Sequence, residues 1–223
     1  MPELLYFDRD LVALVKPVGL VSEDGGAGES VIPAAAAALR DAGECETTLY
    51  PVHRLDRNVG GVMVYARTKQ AAAALSASVQ DGGLEKVYLA LVHGAPDAPR
   101  GTYRDLLYKD ARKNKTFVVS NLRRGVREAV LDYETLAAVG DCTLVRVRLH
   151  TGRSHQIRVQ FASRKMPLVG DGKYGAKDNA KALGLFSHSL TFPHPKDGRE
   201  MHVSALPTDA LFTEALRAAG LQA

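Results

Sequence analysis

The sequence predicts an α+β fold built around a large, mainly antiparallel mixed sheet flanked by helices. Three features carry that prediction. Short apolar or alternating runs bounded by turn residues recur along nearly the whole chain, as strands do. Two alanine-rich stretches carry helix start and stop residues at their ends. The run CTLVRVRLHT at 142–151 alternates Leu144, Val145, Val147 and Leu149 with Arg146 and Arg148. A strand so patterned has one dry and one wet face, as antiparallel sheets allow.

Taken in order, LLYFD (4–8) and LVALVKP (11–17) read as strands, broken by the turn from Pro17 to Gly19. The glycine-rich loop EDGGAGES leads into VIPAAAAALRDAG, a helix with Pro33 in its first turn and Gly43 beyond its end. GVMVYA (61–66) is apolar throughout and fits a buried strand. Thr68 caps the helix KQAAAALSASVQ, which stops at Gly82 and Gly83. KVYLALVHG (86–94) is a further strand, and TFVV (116–119) and EAVLDYETL (128–136) are strand-like. SHQIRVQFASRK (154–165) has helical spacing, with Thr151 or Ser154 as its N-cap. SLTFPHP and REMHVSA supply late strands, and TDALFTEALRAAG closes the chain with a capped amphipathic helix. No repeat, linker or boundary interrupts this order, so a single domain over 1–223 is expected.

At 223 residues, 46% hydrophobic and 24% charged, the composition is that of an ordinary globular protein with a substantial core. No apolar run approaches the roughly 20 residues that a membrane-spanning helix needs, and MPELLYFDRD lacks the pattern of a secretory signal. Cys45 and Cys142 stand far apart without ligand spacing, as incidental thiols do in a reducing compartment, so the cytoplasm is expected. Net charge is +4, but residues 104–127 hold eight basic side chains against two acids. That local excess of six outweighs the whole chain, leaving the remainder slightly acidic. Such a block is either a solvated loop or a surface for phosphates.

Two segments carry the chemistry. HRLDRNVGG (53–61) sets Asp56 two residues after Arg54, ahead of a glycine pair. TGRSHQIR (151–158) offers Arg153, His155 and Arg158. A carboxylate that must stay ionised in a cleft needs a cation beside it, because desolvation raises its pKa. Either segment alone also reads as a surface loop with solvated charges. With KPVGL (16–20), KVYLALV and the long run LHTGRSHQIRVQFASRKMPLVGDGKYG (149–175), they form four motifs in fixed order. In that order the chain resembles the RluA family of RNA pseudouridine synthases.

The resemblance implies a pseudouridine synthase fold with a central RNA-binding cleft and no added amino-terminal RNA-binding domain, since the first motif starts at Lys16. It puts Asp56 at the catalytic aspartate, Tyr88 at the active-site tyrosine, and Arg158 at the cation that salt-bridges the aspartate. Val59 and Gly60 replace the family's usual Thr and Ser, which removes two hydroxyls from the loop but leaves the acid and its cation.

The reaction so implied breaks an N-glycosidic bond, turns the base, and joins carbon to carbon on the same sugar. No redox change and no group donor enter it, so neither cofactor nor metal is implied. Positive charge develops on the sugar, which a carboxylate stabilises or traps. Tyr88 combines a face to stack on uracil with a phenolic oxygen for proton removal at carbon 5; a core strand tyrosine is its plainer reading. The target base must leave its stack, and the planar guanidinium of Arg54 suits the vacated space. His53 and His155 are expected to support the site by hydrogen bonds. Arg112, Lys113 and Lys115 are the expected phosphate contacts of a basic hairpin, with Arg153 beside them. His150, His155 and Asp171 lack the spacing of metal ligands, and Gly152, Gly170 and Gly172 make no phosphate-binding fingerprint.

The expected partner is a stem-loop of tRNA or ribosomal RNA, and the expected state is a monomer. Two rival functions use the same residues. A non-catalytic RNA-binding or RNA-folding protein would keep the scaffold without turnover. A carboxylate-dependent hydrolase of a nucleoside or small sugar would act on free nucleosides and need no basic hairpin.

Overall fold

The computed structural model describes residues 1–25 and 28–221; Gly26 and Ala27 of the expected glycine-rich loop lie outside them. The chain divides into two compact units, Met1–Lys86 with Phe186–Pro207, and Val87–Leu185 with Thr208–Ala223.

In the first unit, β1 (Glu3–Phe7) and β2 (Leu11–Lys16) form an antiparallel hairpin. Asp8 shapes its turn by accepting the N–H groups of Asp10 and Leu11 at 2.8 and 3.0 Å. β2 pairs antiparallel with β4 (Gly60–Ala66), which meets β3 (Tyr50–Pro51) and runs parallel to β10 (Leu185–Pro193). β10 then pairs antiparallel with β11 (Glu200–Ser204). With strands along both edges, every residue of β4 is buried, as its unbroken apolar run requires. Val62, Val64 and Ala66 join Leu11, Ala13, Leu190 and Phe192 in the core.

Gly61 has φ +122°, and a Cβ there would lie 2.3 Å from the Ser187 carbonyl oxygen. Only glycine permits this close parallel approach. α1 (Val31–Asp41) begins at Ser30, whose hydroxyl accepts from Ile32 N–H. α2 (Lys69–Asp81) begins at Thr68, which accepts from Ala71 N–H, and it ends at left-handed Gly82. Its Ala71 and Leu75 enter the same core.

The second unit orders its strands β5 (Glu85–His93), β9 (Cys142–Leu149), β8 (Val126–Val139), β6 (Arg100–Asp110) and β7 (Lys115–Val119). From β9 to β7 neighbouring strands are antiparallel. β6 was not expected from sequence. Its outward positions carry charge, and those charges pair across to β8: Arg100 with Glu134, and Arg104 with Glu128 at 2.7 Å. In sequence they mask the alternation; in the sheet they form cross-strand pairs. β6 and β7 make the expected basic hairpin, with its turn at 111–114.

α3 (Gln156–Ala162) is shorter than expected, and neither Thr151 nor Ser154 caps it. The cap position is His155, in left-handed conformation with φ +53°. Thr151 is engaged elsewhere, its hydroxyl accepting Val130 N–H at 2.9 Å and donating to Gln156 Oε1 at 2.8 Å. A 3-10 helix (Gly172–Tyr174) follows. α4 (Ala210–Ala218), capped by Asp209, packs on β8. Tyr103, Tyr133 and Phe161 form an aromatic cluster, with centroids 4.6 and 5.2 Å from Tyr103. Among the described residues no helix is long and apolar enough to cross a membrane.

Candidate active site

The HRLD segment forms the loop between β3 and β4, and its backbone is tied down on both sides of Asp56. Buried Ser22 accepts Leu55 N–H at 3.0 Å and donates to Leu55 C=O at 3.1 Å. Beyond the acid, Val59 N–H donates to Asp56 C=O at 3.0 Å, closing a turn. Gly19 N–H donates to Arg57 C=O at 2.9 Å, and Arg57 Nε returns a bond to Gly19 C=O at 2.8 Å. The fully buried Lys16 ammonium donates to the carbonyls of Pro17, Leu20 and Arg57 at 2.9, 2.8 and 3.5 Å. The KPVGL turn is thereby laced to the HRLD loop.

Burial lowers the Lys16 pKa to about 8, and the charge of Asp56 works in the opposite direction. Lys16 is still mostly protonated near neutral pH, so a cation lies within electrostatic reach of the half-buried Asp56. Val59 is buried, and a Cβ on Gly60 would lie 3.2 Å from Val18 Cγ2 and 3.3 Å from the Lys16 carbonyl oxygen. Gly60 therefore serves close packing of this loop against the Lys16 turn.

His53 Nε2 accepts the N–H of Val64 at 3.1 Å, which fixes it as a neutral acceptor. Burial, reinforced by Lys86, depresses its pKa to about 3. Arg54 projects outward and meets Glu23 at 3.3 Å, a pair too exposed to hold it firmly.

In the second unit, buried α3 presents Arg158 to Asp171. Nε and Nη2 donate to the two carboxylate oxygens at 2.7 and 2.8 Å, and both side chains are nearly inaccessible. A bidentate clamp of this kind fixes the guanidinium plane as well as its position. The Tyr174 ring centroid lies 5.1 Å from the Arg158 guanidinium. Around it, Gln156 Nε2 donates to Val130 C=O at 3.1 Å while its Oε1 accepts Arg153 N–H at 3.0 Å.

An RNA pseudouridylate synthase family model matches residues 10–163. An uncharacterized RNA pseudouridine synthase of Mycobacterium bovis is 37% identical over 218 residues, spanning 92% of this chain and 70% of that one. The chain is an RluA-type RNA pseudouridine synthase. Ribosomal large subunit pseudouridine synthase C of Buchnera aphidicola (subsp. Baizongia pistaciae) is 31% identical over 225 residues, 96% of this chain and 69% of that one. The structure of human RNA pseudouridylate synthase domain containing 4 aligns with TM-score 0.78 at 22% identity, covering 99% of this chain and 94% of that one. At that identity the likeness establishes the fold. As a pseudouridine synthase the chain is an isomerase, converting uridine in RNA to pseudouridine.

Within this synthase the expected residues other than Tyr88 fall into three groups. His53, Arg54 and Asp56 share the laced loop of the first unit. Arg153, His155 and Arg158 lie in or beside α3, and Lys115 reaches the same neighbourhood by donating to Lys173 C=O at 2.6 Å. Arg112 and Lys113 stand exposed at the hairpin turn, their N–H groups held by Asp110 Oδ1 at 3.0 and 3.1 Å. Tyr88 is a buried residue of β5. Arg153 is exposed, and its Nε donates to Glu128 C=O at 2.9 Å.

Sequence reasoning missed three supporting side chains, Lys16, Asp171 and Tyr174. All three lie inside the quoted motifs, so position marked them, but their partners are set by tertiary structure.

Proposed function

We propose that this synthase acts on uridine in a stem-loop of tRNA or ribosomal RNA, with Asp56 as the reacting carboxylate. The observation that carries this reading is the lacing of the Asp56 loop. The backbone is fixed at Leu55, Arg57 and Val59, and a buried ammonium acts on the carboxylate. A charged group so constrained is preorganised for charge that develops during reaction. Adding to the sugar, adding to the base and abstracting a sugar proton all require Asp56 ionised.

Arg158 is the cation that keeps Asp56 ionised and aimed, itself oriented by Asp171. Tyr88 stacks on the uracil and takes the proton from carbon 5 after the new bond forms. Arg54, exposed and loosely held, moves into the space left by the extruded base. Arg112, Lys113, Lys115 and Arg153 hold phosphates. The Buchnera relative's name, a large-subunit ribosomal synthase, supports ribosomal RNA within this substrate class. The reading treats 1–223 as one catalytic domain working as a monomer in the cytoplasm.

The test is pseudouridine mapping of tRNA and ribosomal RNA from cells with and without the gene. A defined position should lose its modification, regain it with the wild-type gene, and stay unmodified with Asp56→Asn. Restoration by Asp56→Asn would refute the assignment.

A further inference from the structure

Tyr174 makes more contacts than closing a turn requires. Its ring lies 5.1 Å from the Arg158 guanidinium and 5.1 Å from the Lys115 ammonium. Its hydroxyl accepts the N–H of Thr116 at 2.9 Å and stands 2.9 Å from Nδ1 of His155. An oxygen accepting from a backbone N–H still has its own proton to donate, and burial pushes the phenol pKa up, so that proton stays. That proton is available to His155 Nδ1, 2.9 Å away.

The hairpin is seated at the same place by three more bonds. Lys115 donates to Lys173 C=O at 2.6 Å, Lys173 to Asn114 C=O at 3.0 Å, and Thr116 Oγ1 to Ser154 C=O at 2.9 Å. His155 meets the tyrosine from a left-handed backbone, φ +53°. A non-glycine residue adopts that conformation only where its surroundings enforce it. Leu107, Ala129 and Val159 form a small apolar cluster against which Tyr174 packs. A phenylalanine would fill that space equally well, so packing alone does not account for the hydroxyl.

We infer that Tyr174 is a positioning residue for the isomerisation: its hydroxyl and ring tie the seating of the basic hairpin to the tautomer of His155 and the orientation of Arg158. This rests on the proposed part of Arg158 in the reaction. It means that RNA drawn onto the hairpin meets a site whose geometry depends on how that hairpin is docked.

Tyr174→Phe keeps the ring and removes both hydroxyl bonds; Tyr174→Leu removes the ring contact as well. Tritium release from RNA labelled at uridine carbon 5 gives kcat and KM, and ¹⁵N NMR of labelled histidine gives the His155 tautomer. The Phe variant should lose about tenfold in kcat, with KM changed less than about twofold, as loss of these positioning hydrogen bonds implies. Its His155 Nδ1 resonance should shift away from that of a hydrogen-bonded acceptor, and the Leu variant should lose more kcat. Wild-type kcat in the Phe variant, an effect confined to KM, or an unchanged His155 resonance would each overturn the proposal. Arg158→Met provides the separate control. If it retains the wild-type rate, the reading of Arg158 fails, while the resonance of His155 still decides whether Tyr174 holds it.

Discussion

His53 supports the Asp56 loop by staying neutral. Its Nε2 must accept the N–H of Val64, and protonation would remove that acceptor. Its folded pKa of about 3 lies below the unfolded value of 6.5, so between these the unfolded chain binds more protons. Stability from this group is therefore complete above pH 6.5 and drains as pH falls toward about 3. Asp8 and Asp178 act in a lower window. Burial raises their pKa values, but hydrogen bonds outweigh it and hold both at about 2, against 3.8 when unfolded. Their contribution is complete above pH 3.8 and is lost toward 2. Melting temperature followed from pH 7 to 4 should thus decline, and His53→Gln should flatten that decline. Equal slopes for the two proteins would contradict the assignment. Asp171 makes a different prediction. Deleting one partner of a buried ion pair strands the other, so Asp171→Ala should cost about 3–5 kcal/mol in denaturant unfolding.

Gly61 governs the parallel contact of β4 with β10. A methyl group 2.3 Å from the Ser187 carbonyl oxygen cannot be absorbed by rotating a side chain, since the obstacle is backbone. Gly61→Ala should lose roughly 3 kcal/mol or more, or fail to accumulate as folded protein; a loss under about 1 kcal/mol would show that β10 can shift. The β6–β7 hairpin predicts binding behaviour. Arg112→Ala with Lys113→Ala should weaken RNA binding and reduce the salt slope by about one per lost phosphate contact, without lowering the rate at saturating RNA. Most elements were legible because burial follows period: β4 from its unbroken apolar run, α1 and α2 from alanine with caps and terminal glycines. β6 was illegible because its outward charges serve as cross-strand partners, which only pairing with β8 reveals. The cap of α3 was misread because Thr151 is drawn off by Val130 and Gln156, two positions no local rule connects to it.

For the molecule as a whole, the four motifs in order identified the family, and the family fixes the reaction. Asp56, Tyr88 and Arg158 are proposed because each occupies a motif position. The contacts around them depend on folding and could not be read: Lys16 reaches across to Arg57, Asp171 turns back to Arg158, and Tyr174 ties the hairpin to α3. The same gap separates knowing the reaction from knowing the RNA. The central claim is that the carboxylate of Asp56 performs the chemistry while other groups bind and orient. It is tested most directly by single-turnover tritium release at saturating RNA with Asp56→Asn, a change that keeps shape and removes charge. The expected result is RNA affinity within about threefold of wild type and a rate at least about 10³-fold lower. A variant that binds RNA and releases tritium at a rate near wild type would contradict the account.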